Sequence, residues 1–364
     1  MERTEMEAAR RFAPEGAALE LKAFGNGHIN RTYLVTVEGA EERYILQRIN
    51  QYVFHRPDQV QENILRVTEH LRKKILEEGG DPERETMRVI SARDGKPWYL
   101  DREGSWWRMF RFVENTCSMD LPDSPERFEK CGEAFGRFQR RLGDFPADAL
   151  HETIPHFHDT PLRIRHLEEA AEKDTAGRLG EVREELDFLL KRADWAGRLT
   201  EGLQAGRLPL RVAHNDTKLN NVLLDAETGE ALCVVDLDTV MPGLTAYDYG
   251  EAIRTGASTA PEDERDPDRI QLSMPLVRAY TRGFLRETGS SLTAAERESL
   301  PWGARIMTLE NGIRFLTDYL EGDVYYAVHR PGHNLDRARA QITLEKRMEE
   351  RWEEMLAAFE QAGE

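Results

Sequence analysis

Residues 210–250, LRVAHNDTKLNNVLLDAETGEALCVVDLDTVMPGLTAYDYG, constrain the fold more than any other stretch of the chain. The apolar run Leu210, Val212, Ala213 ends at His214-Asn215-Asp216. Thr217-Lys218-Leu219-Asn220-Asn221 leaves no room for regular structure before Val222-Leu223-Leu224 resumes a strand. Residues 226–230 read as a hairpin turn, because Gly229 supplies the positive φ such turns need. The return strand, Leu232 to Val235, delivers Asp236 and Asp238. The pattern is strand, loop, strand, turn, strand, with carboxylates and an amide at the loop ends. A polar β-loop-β with a buried histidine and surface carboxylates would explain His-x-Asp alone. It accounts poorly for His-x-Asp together with Asn221, a hairpin and a strand-ending Asp-x-Asp.

Phosphoryl transfer from ATP needs this set of groups. A carboxylate must accept the acceptor hydroxyl's proton, a carboxylate and an amide oxygen must hold Mg²⁺ against the phosphates, and a cation helps to neutralise the transferring group. The protein-kinase catalytic loop spells this H-R-D-L-x-x-x-N, followed by a metal-binding Asp. His214, Asp216, Lys218 and Asn221 fall at the matching offsets, and Asp236 follows the hairpin. Asp216 is therefore the candidate base and Lys218 the neutralising cation. Asn221 and Asp236 are the candidate Mg²⁺ ligands, with Asp238 assisting in metal binding or orientation.

"HNDTKLNN", "VVDLD" and "AYDYG" resemble the aminoglycoside phosphotransferase and choline kinase superfamily, the small-molecule relatives of protein kinases. More narrowly, "PLRVAHNDTKLNNVLLDAETG", "DLDTVMPG", "GASTAPEDE" and "RFLTDYLEGDVYY" resemble bacterial N-acetylhexosamine 1-kinases. The resemblance runs from "GNGHINRTYLV" to "HNLDRARAQI", nearly the whole chain. It implies a two-lobed, protein-kinase-like α+β fold. A small antiparallel β lobe (1–113) would bind ATP, and a larger, mainly helical lobe (114–364) would carry the catalytic and acceptor-binding groups. It also implies that Asp248 of "AYDYG" accepts hydrogen bonds from the catalytic-loop backbone, where a helix N-cap is the plainer reading.

The net charge of −17 argues against a nucleic-acid surface but not against ATP, which needs only a local pocket of donors. Three unclustered cysteines, Cys117, Cys131 and Cys233, suit a reduced, cytoplasmic chain. The opening MERTEMEAARRFAPEG has no apolar core, so no signal peptide is expected, and no apolar run approaches a membrane span.

In chain order, 3–11 reads as a short amphipathic helix, and strands at 19–24 and 32–37 flank Gly25-Asn26-Gly27-His28-Ile29-Asn30. Gly25 and Gly27 serve a plain hairpin equally well. In front of a kinase-like loop they read as a turn whose N–H groups approach a triphosphate. The resemblance implies that His28 and Asn30 also face the acceptor. Arg43–Ile49 is a third strand, without the lysine that protein kinases place there. Only one of Gln47 and Arg48 can point into the cleft, and Arg48 is the candidate phosphate partner. Residues 58–77 have helical periodicity, and Glu62 is either a partner for Arg48 or a solvated face residue. Segments 87–90, 98–100 and 106–113 complete an expected five-stranded sheet. Phe112–Thr116, with Val113, is the expected hinge offering backbone groups to adenine.

Further helices are expected at 125–142, 162–206, 271–288, 300–320 and 334–359. His156-x-His158 would converge on a metal only from a strand, and Pro155 opposes one. Arg314 and Asp318, four apart on a helix, make a surface ion pair on spacing alone. The resemblance implies instead that Arg314 and Tyr325, with Asp216, reach the acceptor.

The reading is an ATP- and Mg²⁺-dependent kinase of the anomeric hydroxyl of N-acetylglucosamine or N-acetylgalactosamine. The alternatives are a kinase of an aminoglycoside, a choline-like amino alcohol or a thioribose, or a nucleotide-binding pseudokinase. The negative charge favours a cationic acceptor, and the intact Asp216, Asn221 and Asp236 oppose a pseudokinase.

Overall fold

The computed structural model describes residues 2–25 and 29–362, so Gly27 and His28 lie outside the described residues. The chain forms two compact units. The first takes in the chain up to Ser118, Asp144–Ile154 and Val222–Pro242, and the second takes in the rest.

In the first unit, helix α1 (Glu2–Phe12) precedes strands β1 (Leu19–Ala23), β2 (Arg31–Val37) and β3 (Arg43–Arg48). Helix α2 (Pro57–Glu77) is followed by β4 (Val89–Ile90), β5 (Tyr99–Leu100) and β6 (Trp106–Arg111). These strands form one antiparallel sheet in the order β1-β2-β3-β6-β4, with β5 also on β6. All six expected segments, β5 at Tyr99–Leu100 included, enter this sheet, which therefore has six strands and not five. One face buries Val35, Leu46, Trp107 and Met109 against Ala8, Ala9 and Phe12 of α1. Alternation along a strand then sends Gln47 and Arg108 to the opposite face. Helix α2 starts on Pro57, whose missing N–H costs nothing in a first turn. It buries Val60, Ile64, Val67, Leu71 and Ile75, the stripe its periodicity demands.

A smaller sheet joins β7 (Thr116–Cys117), β8 (Val222–Asp225) and β9 (Ala231–Val234). The β8–β9 turn has Gly229 at φ 74°. Asp225 accepts the N–H groups of Thr228 and Glu227 and a bond from Arg84, which hold its carboxyl down to about 2.

The second unit is mainly helical: α3 (Pro125–Arg141), α4 (Thr160–Lys173), α5 (Thr245–Gly256), α6 (Met274–Thr288), α7 (Ala294–Glu321), α8 (His333–Glu350) and α9 (Trp352–Ala362). Helices α5 and α7 cross at Gly250 and Gly303, where a Cβ on either would overlap the backbone of the other helix. This close crossing fixes the helix that carries Asp248. Leu167 of α4, Leu309, Ile313, Leu316 and Leu320 of α7, and Ile342 of α8 share one core.

Two expected boundaries move. Helix α7 begins six residues before Leu300, because Thr293 and Glu296 form a capping box. The single closing helix is two. The chain breaks at Arg351 (φ −112°), and Trp352 then packs on Trp302 (ring centroids 4.9 Å apart) and Phe359 on Tyr249 (5.2 Å). Among the described residues no helix is long and apolar enough to cross a membrane.

Candidate active site

In the second unit the strand Arg211–Ala213 leads into the loop 214–221. The His214 ring is buried edge-on against Phe135 and Phe138, at 5.6 and 5.8 Å. Its Nδ1 accepts the backbone N–H of Asp216 at 3.2 Å. Asn215 adopts a left-handed backbone (φ 63°), which turns the chain sharply before Asp216. Asp248 is fully buried in the first turn of α5. Its Oδ2 accepts the N–H of His214 at 2.9 Å, and its Oδ1 that of Asn215 at 2.8 Å. Gln139 donates to Oδ2 at 2.6 Å, and its amide also reaches the Val212 carbonyl at 3.1 Å. The helix N-cap is Leu244, so Asp248 does not cap its own helix but grips the loop. Burial raises the Asp248 carboxyl, and His214 and the N–H donors oppose that rise.

The loop brings three expected residues together. Lys218 Nζ lies 3.1 Å from Asp216 Oδ1. Asn221 Nδ2 donates to the Asp216 carbonyl at 2.8 Å and to its Oδ2 at 3.1 Å. The Asp216 side chain is one-quarter exposed, and Asn221 is buried. The result is an accessible carboxylate held beside a cation and an amide.

Farther along the same unit, Arg314 and Tyr325 border a cavity of about 310 Å³ between α4 and α7, with Arg163, Asp318 and Tyr326. The expected Arg314–Asp318 ion pair does not form. Asp318 is buried and accepts the N–H groups of Val324 (2.8 Å), Tyr325 (2.7 Å) and Tyr326 (2.9 Å), and the Asn334 amide (2.8 Å). A carboxylate turned to those donors is no longer turned to Arg314. The Arg314 guanidinium instead stacks over Phe157 (5.4 Å) and Tyr326 (5.6 Å). His158 and His156 do not converge. His158 Nδ1 meets the buried Glu310 at 2.8 Å, and His156 meets Asp159 at 3.3 Å. The Glu251 carboxylate feels both His158 and Lys218, and Arg314 feels Glu310 and Glu251, so these charges act on one another.

In the first unit, Asp236 has φ 60° and stands just before a tight turn at Leu237–Thr239. Asp238, in that turn, is buried on Arg108 and Asn30. Arg108 gave no signal in the sequence beyond its place in an apolar strand, where a buried arginine must find a partner. Asn30 is occupied at both ends of its amide, by Asp238 (2.6 Å) and by the Asn50 N–H (2.9 Å).

Gln47, not Arg48, lies on the sheet face with Arg108, donating to Thr32 Oγ1 and accepting from Arg108 Nε. Arg48 alternates to the α1 side, where it acts on Tyr33. Consequently the Glu62–Arg48 pair does not form, and Glu62 meets His151 Nε2 at 2.8 Å. Gly25 has φ 72°, with Phe24 edge-on to Phe112 at 5.6 Å. The Val113 carbonyl accepts from Thr116 Oγ1 at 3.0 Å, and Asn115 is left-handed (φ 54°).

Among the described residues no three or more His, Cys, Asp or Glu gather as a metal cage. Asn221 in the second unit carries an amide oxygen and Asp236 in the first a carboxylate, both hard oxygen donors. That suits Mg²⁺, which takes one or two protein oxygens and completes its shell with phosphates and water.

An antiparallel sheet with a large helical part, and an Asp–Lys–Asn loop before a hairpin, define a kinase-like phosphotransferase fold. The model of the phosphotransferase enzyme family matches residues 20–283, and the chain belongs to that family. Among solved structures it is similar to an aminoglycoside phosphotransferase from Alicyclobacillus acidocaldarius (14% identity, 98% of this chain and 96% of that one, TM-score 0.63). It is also similar to a choline kinase from Cryptosporidium parvum (13%, 92% and 90%, TM-score 0.56). A third is a spectinomycin phosphotransferase in complex with ADP and spectinomycin (14%, 90% and 88%, TM-score 0.53). At such identities the likeness speaks for the fold.

Proposed function

We propose that this phosphotransferase moves the γ-phosphoryl group of ATP to the anomeric hydroxyl of an N-acetylhexosamine, giving the sugar 1-phosphate. The observation that carries the chemistry is the Asp216 carboxylate, one-quarter exposed and held by Lys218 and Asn221 on a loop gripped by Asp248. Asp216 orients the acceptor hydroxyl and takes its proton, and Lys218 neutralises charge on the transferring group. Asn221 and Asp236 hold Mg²⁺, which when bound neutralises the β- and γ-phosphates. The nucleotide is assigned to the N-terminal β-rich part (1–113), with Gly25 and Gly27 over the phosphates and the Val113 segment at the adenine. Arg48, on the α1 side of the sheet, and Glu62, paired with His151, are given no phosphate role. The nucleotide-bound spectinomycin relative supports this half. The acceptor is assigned to the helical part (114–364), where Arg314 and Tyr325 border the cavity; Asn30, engaged with Asp238 and Asn50, is not assigned to it. A cytoplasmic chain fits its free cysteines.

Arg314 bears on the choice of acceptor. The Arg314 guanidinium stacks over Phe157 and Tyr326, feels Glu310 and Glu251, and offers N–H donors to the oxygens of a sugar. A coupled ATP-consumption screen across hexosamines, amino alcohols, thioribose and aminoglycosides, with product NMR, tests the proposal. We expect turnover on an N-acetylhexosamine with phosphate at C1. Turnover confined to a cationic acceptor contradicts it, and nucleotide binding without turnover on any acceptor makes the chain a pseudokinase.

A further inference from the structure

The Asp-x-Asp pair at 236 and 238 offers two carboxylates two residues apart, and the structure treats them differently. Asp238 is 5% exposed. Its Oδ1 lies 2.5 Å from Arg108 Nη1, and its Oδ2 accepts from Asn30 Nδ2 at 2.6 Å. Arg108 is 1% exposed and donates from Nε to Gln47 Oε1 at 2.9 Å. Gln47 in turn donates to Thr32 Oγ1 at 3.1 Å.

Strand register produces this row. Thr32 is the direct partner of Gln47 across β2 and β3, and Gln47 of Arg108 across β3 and β6. Directly opposed residues share a face, so three polar side chains line up and end on Asp238. A guanidinium this deep in a sheet persists only when paired, and Asp238 is its carboxylate. The turn is pinned at a second point. Val240 N–H closes on the Leu237 carbonyl at 3.2 Å, and the Val240 carbonyl accepts from the buried Asn63 amide at 3.0 Å. Asp236, left-handed at φ 60°, stands at the mouth of this doubly held turn.

We infer that Asp238 is a strut and not a metal ligand, and that Arg108 is a positioning residue that sets the Asp236 carboxylate through it. Asn30, just before β2, ties the start of that strand to the same turn. The inference rests on the reading of Asp236 as a Mg²⁺ ligand.

Calorimetry of ADP binding to the intact chain, in EDTA and in Mg²⁺, tests both. The quantity read is the gain in ADP affinity that Mg²⁺ confers. Asp236→Asn reports on the underlying reading: if it keeps the wild-type gain, Asp236 is no ligand and the inference falls with that reading. Arg108→Gln removes the strut's anchor one residue pair away from the ligand, and we expect it to cut the gain by about tenfold, the lower end of the loss seen when a ligand's own outer partner is removed. Affinity in EDTA should be unchanged. Arg108→Gln/Asp238→Asn replaces the ion pair with an amide pair that hydrogen-bonds without charge, and we expect it to restore most of the gain. If Asp238 instead coordinates the metal, Arg108→Gln frees its carboxylate and raises the gain, and the double variant loses the gain as Asp236→Asn does. Either result overturns the inference. Should Arg108→Gln alone fail to fold, the double variant still decides.

Discussion

Asn221 donates its side-chain amide twice to Asp216, at 2.8 Å to the carbonyl and at 3.1 Å to Oδ2. Both amide hydrogens are thereby directed at one residue, and Oδ1 of Asn221 is left as the acceptor for a cation. On the proposed assignment, one side chain would couple the base to the metal.

Asn221→Asp keeps an oxygen for Mg²⁺ but sets a second carboxylate against Asp216. A like charge at this range raises the pKa of one of the pair. We expect the acidic limb of the kcat/KM–pH profile to move to higher pH, with kcat reduced. An unmoved acidic limb would show that Asn221 does not touch the base.

Asp248→Asn tests the grip on the loop. The carboxylate accepts from two backbone N–H groups and from Gln139, and an amide offers one oxygen where two were used. Leaving a buried donor unpaired costs about 1–3 kcal/mol, and we expect urea unfolding to show a loss of that size. A variant as stable as the parent, with full activity, would remove Asp248 from this role.

The grouping of Asp216, Lys218 and Asn221 was legible in the sequence because its geometry is local. Asp216, Lys218 and Asn221 lie within one short loop, and the spacing that chemistry requires is written in the chain. Elements with strong periodicity, such as α2, were legible for the same reason. Partnerships across strands were not. Thr32, Gln47 and Arg108 line up only because register places β2, β3 and β6 side by side, and no local pattern encodes register. Asp318 misled for a different reason. Its spacing from Arg314 suggested a surface pair, but the left-handed Asp323 (φ 63°) folds the following N–H groups back onto it. The break at Arg351 was hidden because its cause, stacking on Trp302, comes from another helix.

Arg314→Ala should raise the acceptor KM by about tenfold or more, about 1.4 kcal/mol, while the ATP KM stays near the parent value. An exposed ion pair would have been worth only about 0.3–0.5 kcal/mol, and none forms here. Small and equal changes in both constants would take Arg314 out of the acceptor site.

Asp318→Ala should act on the same constant by a different route. It leaves the N–H groups of Val324, Tyr325 and Tyr326 without their acceptor, so Tyr325 loses its position while Arg314 stays. We expect a raised acceptor KM together with faster proteolytic cleavage near residues 322–328. Unchanged cleavage and KM would show that the loop is held without Asp318.

The most direct test is the single-turnover rate of Asp216→Asn with saturating ATP and Mg²⁺. The substitution keeps shape and one acceptor oxygen but removes charge and basicity. General base catalysis contributes about 10²–10⁴-fold, and the relatively acidic anomeric hydroxyl places the expected fall in kcat toward the lower end of that range. Calorimetry on the same protein should find ATP–Mg²⁺ affinity little changed, since Asn221 and Asp236 remain. A near-normal single-turnover rate would contradict the assignment of Asp216 as the base. A lost ATP–Mg²⁺ affinity would move Asp216 among the metal ligands.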